Sequence, residues 1–387
     1  MTTTTFRRRP VALPGSLLLI GALALAGCGG FEDEGGSAAE PADDAATEEA
    51  TAGGDDVSAG AEDEPQLSEP PAIEGDVVAE GESYEIGFGI GLAEDSPQAL
   101  SVDYFGEILA ERSGGRITVN LFPNSQVGDD LQMMNALQSG SLEMTYPSTS
   151  PATSIVPELQ LFDLPFLFPT PEDADEVLDG EIGQGMLDAF DGSGIHALAF
   201  AENGYRQLTN SQRAVATPED VSGLRVRVME NPIQVSIWET LGANPTSMAF
   251  GEVFSALEQG VVDGQENPWS TILTSRFDEV QSHGSETRHV YTPFLILIGE
   301  DFYDGLSPED QQLITEAAEQ ARDYQRTISR EYSDYAKEQL AERGMEVTEL
   351  DEEQLAAFQE AVQPVYDQWQ DEIGAELIDS VQQQTQP

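Results

Sequence analysis

Apolar residues recur at strand spacing and at helix spacing from residue 84 onward, and the two periods alternate. Apolar side chains alternate in the first segment, YEIGFGI, a period typical of a strand. Ser96 and Pro97 supply the N-cap and the first-turn proline of a helix. The predicted order is strand, helix, strand, helix and strand over residues 84–90, 97–114, 116–122, 129–139 and 141–146. This order predicts parallel strands with right-handed crossovers, so a ligand would lie beyond their carboxyl ends, near Gly91, Asp130 and Ser148.

A second set of strands and helices begins near residue 195. Its predicted strands cover residues 196–202, 205–210, 224–229 and 290–298, and its predicted helices cover 231–241 and 250–259. Ser307 then caps a helix that meets no glycine or proline from residue 309 until Gly344. A helix over residues 307–344 is about 55 Å long, which is more than a single lobe needs. We therefore expect this helix to brace two lobes.

The length of the folded part also favours two lobes. Residues 84–387 number 304 (387 − 84 + 1), which exceeds what one hydrophobic core usually holds. The predicted first lobe comprises residues 84–203 plus 293–330, and the second comprises 204–292 plus 331–387. The predicted fold is therefore α/β and two-lobed, with the long helix 307–344 spanning both lobes.

The first 27 residues have the pattern of a lipoprotein signal peptide. Three arginines (Arg7, Arg8 and Arg9) precede an apolar run over residues 11–26, and the segment LAGC then places Cys28 at a cleavage box. Cys28 is the only cysteine, so the chain has neither an internal disulfide nor a thiolate metal cluster. We expect residues 1–27 to be removed, Cys28 to be acylated, and the protein to contact the membrane only through this anchor.

Residues 28–83 are predicted to be a disordered acidic linker. They contain 18 acidic residues and no lysine or arginine, a composition that buries too little apolar surface to fold. Without this linker and the leader, 54 acids (72 − 18) face 13 bases (16 − 3). So acidic a surface argues against nucleic acid and anionic membranes as partners, and it suits saline surroundings.

No catalytic or metal-binding pattern stands out in the chain. The three histidines, His196, His283 and His289, lack the spacing of a metal site. A nucleophile elbow, a Walker loop and a dinucleotide fingerprint are all absent. The motifs therefore give no support to an enzyme, and we expect no metal and no cofactor.

Basic residues are scarce, and four of the 13 lie in one short region: Arg206, Arg213, Arg225 and Arg227. An arginine within a sheet is costly unless its guanidinium has a planar anionic partner. A ligand carboxylate held by two parallel hydrogen bonds would be such a partner. Surface acids of the same chain are the alternative partners, and the pattern favours a ligand for at least one of these arginines.

The segment GVVDGQENPW raises a related question, because it combines four polar side chains with a glycine and a proline. Gly260 lies where a preceding helix would end, and Pro268 holds Asn267 in an extended conformation. The pattern predicts a loop that presents the amide of Asn267, while Asp263 and Glu266 fix the loop.

Five segments, in order, resemble one known family: GRITVNLFPNSQVGDD, LQSGSLEMTY, NGYRQLTNS, GLRVRV and GANPTSMAFGEVFSALEQGVVDGQENP. They are similar to the extracytoplasmic solute-binding proteins of tripartite ATP-independent periplasmic (TRAP) transporters, the DctP family. The resemblance covers about residues 84–380. It implies a periplasmic-binding-protein-like fold, with an organic acid bound in the cleft between two lobes. It also implies delivery of that acid to a small and a large ion-coupled membrane subunit by a monomer.

The resemblance assigns roles to five residues. Arg227 matches the arginine that clamps the ligand carboxylate, and Asn267 matches the amide that bonds the same carboxylate. Arg206 matches a second ligand arginine of the sialic-acid-binding branch. Phe250 matches an aromatic side chain that packs on the ligand, and Asp130 matches a polar contact in the first lobe.

Three positions depart from the sialic-acid branch. Ser148 replaces a ligand glutamate, Gly91 replaces an asparagine, and Glu230 replaces the asparagine after the clamp. These departures argue against sialic acid and favour a C4-dicarboxylate or a sugar acid. An ectoine-like zwitterion, whose cationic part would meet Glu230 or Asp130, is an alternative ligand. A surface hydrolase or lyase for acidic sugars is the alternative function, and a sensor that docks to a receptor kinase is a third.

Overall fold

The strands form two sheets, one in each predicted lobe. The structure, a computed structural model, describes residues 65–385. In chain order the strands are β1 (Tyr84–Gly89), β2 (Ile117–Phe122), β3 (Met144–Thr145), β4 (Ile195–Tyr205), β5 (Gln207–Asn210), β6 (Arg225–Val228), β7 (Asn244–Ser247), β8 (Gly264–Asn267), β9 (His283–Ser285), β10 (Tyr291–Gly299) and β11 (Glu346–Thr348). The helices are α1 (Pro97–Arg112), α2 (Asp130–Gln138), α3 (Thr149–Ala152), α4 (Pro171–Leu178), α5 (Glu181–Asp188), α6 (Pro232–Thr240), α7 (Val253–Glu258), α8 (Trp269–Thr274), α9 (Glu300–Asp304), α10 (Pro308–Glu342), α11 (Glu352–Ala361), α12 (Gln363–Ile373) and α13 (Ala375–Thr385).

The sheet of lobe I has the strand order β2-β1-β3-β10-β4. As the sequence pattern predicted, β1 pairs in parallel with β2, and it also pairs in parallel with β3. The late strand β10 runs antiparallel to both β3 and β4. β4 continues to Tyr205, and the chain enters the other sheet at Gln207, so Arg206 lies at the crossing between lobes.

The sheet of lobe II has the strand order β11-β9-β5-β8-β6-β7. Its strand β8 corrects one prediction, because Gln265, Glu266 and Asn267 form a buried strand and not a presenting loop. Gly264 begins this strand, and a Cβ atom there would lie 2.2 Å from the carbonyl oxygen of Thr209 on β5. The glycine is therefore needed for the close approach of the two strands.

The long helix α10 packs against both lobes, which confirms the predicted bridging helix. The Ser307 hydroxyl accepts a hydrogen bond from the Asp310 amide at 3.1 Å and caps its first turn. α10 lies against α1 and β4 of lobe I and against α8 and β11 of lobe II. One continuous helix of 35 residues thus contacts both lobes.

The end of the predicted linker is ordered, so the prediction of disorder over residues 28–83 extended too far. Leu67, Ile73 and Val78 pack against the core of lobe I. The Ser68 hydroxyl donates to Glu331 on α10 at 2.6 Å. The hydroxyl of Tyr104 on α1 donates to the carbonyl of Pro71 at 3.0 Å. Residues 65–83 are called the strap from here on; the leader, Cys28 and residues 28–64 lie outside the described residues.

Removing the strap should destabilise the fold, whereas a shorter deletion should not. Deletion of residues 28–64 is expected to leave the free energy of unfolding unchanged, because that segment has too little apolar surface to fold. Extending the deletion to residue 82 removes the three apolar side chains that cover part of the lobe I core and is expected to cost about 2–4 kcal/mol. Urea denaturation of both variants measures the difference. Equal stability of the two variants would show that the strap contributes nothing.

Neither a membrane-spanning helix nor a metal-binding cluster occurs within residues 65–385. No helix in that range is long and apolar enough to cross a membrane. No group of three or more histidine, cysteine or acidic side chains in that range is arranged to hold a metal ion.

Candidate functional site

A cavity lies between the two lobes. Small-molecule sites occur preferentially at such interfaces between domains. Both lobes contribute to its lining, which comprises Gly91, Leu92, Gln98, Asp129, Asp130, Tyr146, Ser148, Pro151, Asn203 and Phe294 from lobe I and Arg227, Met229, Glu230, Phe250, Asn267 and Thr271 from lobe II. Seven of the eight residues predicted from the sequence to contact a ligand therefore line one cavity.

The lobe I lining follows the carboxyl ends of parallel strands, where the sequence pattern predicted it. Gly91 comes shortly after β1, and Ser148 comes shortly after β3. Asp130 is the first residue of α2, which Asp129 caps by accepting from the Gln132 amide at 2.8 Å. A Cβ atom at Gly91 would lie 3.6 Å from the Asp130 carboxylate, so the glycine leaves room beside that group.

Arg227 is a buried guanidinium with one nitrogen atom unused. The side chain projects from β6 and is 3% exposed. Its Nε and Nη2 atoms donate to the Met248 carbonyl at 2.9 and 2.6 Å, whereas Nη1 is buried without a partner. Burial lowers the pKa of Arg227 to about 10, so the group stays charged at neutral pH. Such a group needs an anion, and no carboxylate among residues 65–385 forms an ion pair with it.

Phe250 and Asn267 flank Arg227 at the cavity. The Phe250 ring lies 6.0 Å from the Arg227 guanidinium carbon. The Asn267 Oδ1 atom accepts from Arg206 at 3.1 Å, and its Nδ2 atom donates to Gln265 Oε1 at 2.5 Å. An amide nitrogen carries two hydrogens, so Asn267 retains one donor for a ligand. Arg206, between β4 and β5, and Gln265, on the same strand, fix the direction of this amide, which the sequence pattern had attributed to a loop.

Arg206 is not among the residues that line the cavity, although the resemblance implied a ligand contact for it. It is fully buried and forms an ion pair with Glu266 of β8. Its Nη2 atom donates to Glu266 Oε1 at 2.9 Å and to the Glu266 carbonyl at 2.6 Å, while Nη1 is buried without a partner. Burial acts to raise the pKa of Glu266, but Arg206 and His289 outweigh it and lower the pKa to about 2. The planar anion that a sheet arginine requires is here a carboxylate of the same chain.

The other two clustered arginines have partners at the surface. Arg225 is half-exposed, and its Nη2 atom pairs with Asp263 Oδ1 at 2.5 Å. Arg213 donates to the carbonyls of Asp220 and Ser222 at 2.8 and 2.7 Å. Of the four clustered arginines, Arg227 alone faces the cavity.

Carboxyl groups occupy the cavity wall that belongs to lobe I and the neighbouring edge of lobe II. The Ser148 amide donates to Asp130 Oδ2 at 3.1 Å. The pKa of Asp130 is raised to about 7, chiefly by desolvation and with a contribution from the charge of Asp129, while the Ser148 amide and Arg227 oppose the shift. Desolvation also raises the pKa of Glu230. The cavity thus presents one guanidinium and three carboxyl groups.

Several lining residues were not predicted as ligand contacts. Asn203 and Tyr146 lie inside segments that carry the family resemblance, but no role was assigned to them. Gln98 follows the proline at the start of α1, where its sequence position indicated only a helix. The Asn203 amide donates to the Ser148 hydroxyl at 3.3 Å, which ties two polar lining residues together.

The family model described as bacterial extracellular solute-binding protein, family 7 (DctP), matches residues 88–372. A solute-binding protein of Verminephrobacter eiseniae is 41% identical over 292 residues, covering 76% of this chain and 87% of the relative. The sugar acid binding protein DctPAm from Advenella mimigardefordensis, in complex with galactonate, matches with a TM-score of 0.77 and 40% identity over 79% of this chain and 98% of that chain. A TRAP periplasmic solute-binding protein from Sulfurospirillum deleyianum, with bound succinate, matches with a TM-score of 0.75 and 34% identity over 78% of this chain and 99% of that chain.

Proposed function

The chain belongs to bacterial extracellular solute-binding protein family 7, and from that membership we propose that it captures a small organic acid between its lobes and delivers it to the membrane subunits of a TRAP transporter. Members of this family are solute-binding proteins, and the proposal includes no catalytic step. The small and large membrane subunits would be the macromolecular partners, and the protein would act as a lipid-anchored monomer outside the cytoplasm.

The unpaired Nη1 atom of Arg227 is the observation that carries this proposal. A buried cation with a free donor in a cavity is costly until an anion enters. A carboxylate accepts two parallel hydrogen bonds from a guanidinium, which fixes its orientation as well as its charge. Asn267 and Phe250 lie beside Arg227 and would bond and cover the same carboxylate.

A small organic acid of the C4-dicarboxylate or sugar-acid type is the proposed ligand. The two solved relatives named above hold succinate in one case and galactonate in the other. A zwitterion of the ectoine type is the second candidate, because Asp130 and Glu230 line the same cavity as Arg227 and could meet a cationic group. A hydrolase or lyase for acidic sugars has no such supporting observation.

Native mass spectrometry of the purified protein tests the proposal directly. A co-purified small molecule that carries a carboxylate is the expected result. Thermal shift with a panel of organic acids provides the second measurement, because a ligand that binds only the folded state raises the unfolding temperature. A captured molecule without a carboxylate, or no shift with any organic acid, would contradict the proposed function.

The pH dependence of binding should reveal whether the ligand is an anion or a zwitterion. Asp130 has a pKa of about 7 in the unliganded cavity. An anion nearby raises this pKa further, so a proton is taken up on binding. Affinity should then rise as pH falls from 8 to about 7, by at most about tenfold per pH unit, and level off below pH 7. A cationic ligand group beside Asp130 lowers the pKa of Asp130. Affinity should then fall as the pH drops below about 7. Calorimetry with galactonate and with ectoine at matched ionic strength measures both slopes.

Asp130→Asn is the control for this pH dependence, because asparagine keeps the shape of the side chain and cannot titrate in this range. The change of ligand affinity with pH should become smaller in this variant. A slope that persists unchanged would assign the pH dependence to another group.

Cys28 is expected to be the acylated N-terminus of the mature protein. The expectation rests on the LAGC segment at the end of the apolar leader. Metabolic labelling with a radioactive fatty acid should mark the wild-type protein and not Cys28→Ala. Equal labelling of the two proteins would exclude anchoring at this position.

A further inference from the structure

The charges that line the cavity disfavour a second carboxylate on the ligand. Arg227 is the one basic side chain among the described lining residues, and Asp129, Asp130 and Glu230 are acidic. Arg206, which the resemblance offered as a second cation, is occupied by Glu266 outside the cavity. A dicarboxylate would therefore place one of its charges beside Arg227 and the other among carboxyl groups without a cationic partner.

Gln98 presents an acceptor that has no donor. Its Nε2 atom donates to the Tyr146 carbonyl at 2.7 Å, and a carbonyl can only accept, so the orientation of the amide is fixed. The remaining atom, Oε1, is buried without a partner in a side chain that lines the cavity. A buried acceptor needs a donor, and an ionised carboxylate has none to give. A hydroxyl group on the ligand would supply it.

Thr271 provides a matching group from the opposite lobe. It lies on α8, which begins immediately after Pro268, and it also lines the cavity. Its Oγ1 atom is buried without a partner. A threonine hydroxyl both donates and accepts, so it pairs with a neutral hydroxyl in either direction. A ligand that reaches both side chains would connect lobe I with lobe II.

We propose that Gln98 and Thr271 recognise hydroxyl groups along the ligand, so that the site selects hydroxylated monocarboxylates over dicarboxylates. The inference rests on the proposed function, in which Arg227 holds the carboxylate. The ligand carboxylate then binds Arg227, and the neutral hydroxylated chain extends past Gln98 and Thr271. Its hydroxyl groups hydrogen-bond to Gln98 Oε1 and Thr271 Oγ1, which have no partner within the protein.

Two sets of probes of matched length separate hydroxyl recognition from carboxylate binding. The four-carbon set is erythronate, 4-hydroxybutyrate and succinate; the six-carbon set is galactonate, 6-hydroxyhexanoate and adipate. Within a set the carboxylate and the chain length are constant, and only the internal hydroxyls or the second carboxylate change. Calorimetry on the full mature protein should give, in the set that binds more tightly, at least tenfold preference for the polyhydroxy acid.

Thr271→Val and Gln98→Met are the test variants. Each should weaken binding of the polyhydroxy acid by about tenfold, the usual effect of one lost hydrogen bond, and change binding of the monohydroxy acid by less than about threefold. Thr271→Val should also leave the unliganded unfolding temperature equal or higher, because it removes a buried hydroxyl that has no partner. A purely structural role would lower that temperature instead.

Three results would overturn the inference. Tighter binding of the dicarboxylate than of the polyhydroxy acid would do so while leaving the proposed function intact. Equal weakening of all three probes by both variants would show that the side chains only support the fold. Failure of every probe and of every other organic acid to bind would remove the proposed function as well.

Discussion

Replacing Arg227 with alanine is expected to weaken binding of the captured acid by about two to four orders of magnitude. The ligand carboxylate would enter a dry cavity without its charged partner, which costs about 3–5 kcal/mol. Arg227→Lys should also weaken binding substantially, because lysine keeps the charge but loses the planar fork. Calorimetry with the tightest acid of the panel, in matched salt, gives the comparison.

Arg225→Ala is the matched control, because it removes the same side chain from the same strand at a position outside the cavity. Arg225 pairs with Asp263 and donates to the Gly260 and Val261 carbonyls. Its loss should change ligand affinity by less than about threefold, because a solvent-exposed guanidinium outside the cavity contributes little to binding. If the ligand affinity of Arg227→Ala is within threefold of that of the wild type, the proposed role of Arg227 in binding the ligand carboxylate is wrong.

Arg206→Met should have its main effect on stability. It leaves the Glu266 carboxylate buried without its principal partner, and we expect the free energy of unfolding to fall by about 3–5 kcal/mol. The pair also predicts the acid response of the wild type. Because the pKa of Glu266 is lowered to about 2, its stabilisation is present above its ordinary pKa and is lost as pH falls toward 2.

The double variant Arg206→Met/Glu266→Leu is the control for this prediction. Replacing a buried ion pair with apolar side chains of similar volume is often close to neutral, so the double variant should be more stable than Arg206→Met alone. Chemical denaturation measures both. Ligand affinity should fall less in Arg206→Met than in Arg227→Ala, since Arg206 acts on the ligand only through Asn267. A loss as large as that of Arg227→Ala would restore Arg206 as a direct ligand contact.

Elements with strong local signals were predictable from the sequence. β1 has a clear alternation, α1 has a serine cap and a proline, and α10 has a cap followed by 35 residues that the structure shows as one helix. The scarcity of bases indicated that at least one of the four clustered arginines meets a ligand, and the resemblance of the GLRVRV segment singled out Arg227. Both kinds of signal are contained in a few neighbouring residues.

The errors came from contacts that local pattern does not encode. β8 was predicted as a loop because its buried side chains are polar and hydrogen-bond to one another or to neighbouring residues. Such a strand lacks the alternation of apolar residues from which strands are predicted. The pair Arg206–Glu266 depends on the register between β5 and β8, in which Gln207 lies opposite Asn267. The strap was taken for disordered linker because average composition hides three well-placed apolar residues. Gln98 was not predicted as a ligand contact, because its amide is oriented by the Tyr146 carbonyl, which is distant in sequence. Only that contact leaves the Gln98 oxygen without a partner.

The antiparallel pair of β4 and β10 has a consequence for how the chain folds. Ile195 pairs with Gly299 and Tyr205 pairs with Tyr291, so the partners are 104 (299 − 195) and 86 (291 − 205) residues apart. Lobe I cannot complete its sheet until the intervening segment, which supplies most of the other sheet, has been traversed. Contacts so distant along the chain carry a large loop-closure entropy and slow the formation of the native state. A C-terminal truncation that removes β10 and all later residues should therefore leave both sheets incomplete. The protein should then aggregate through the exposed edge of β4.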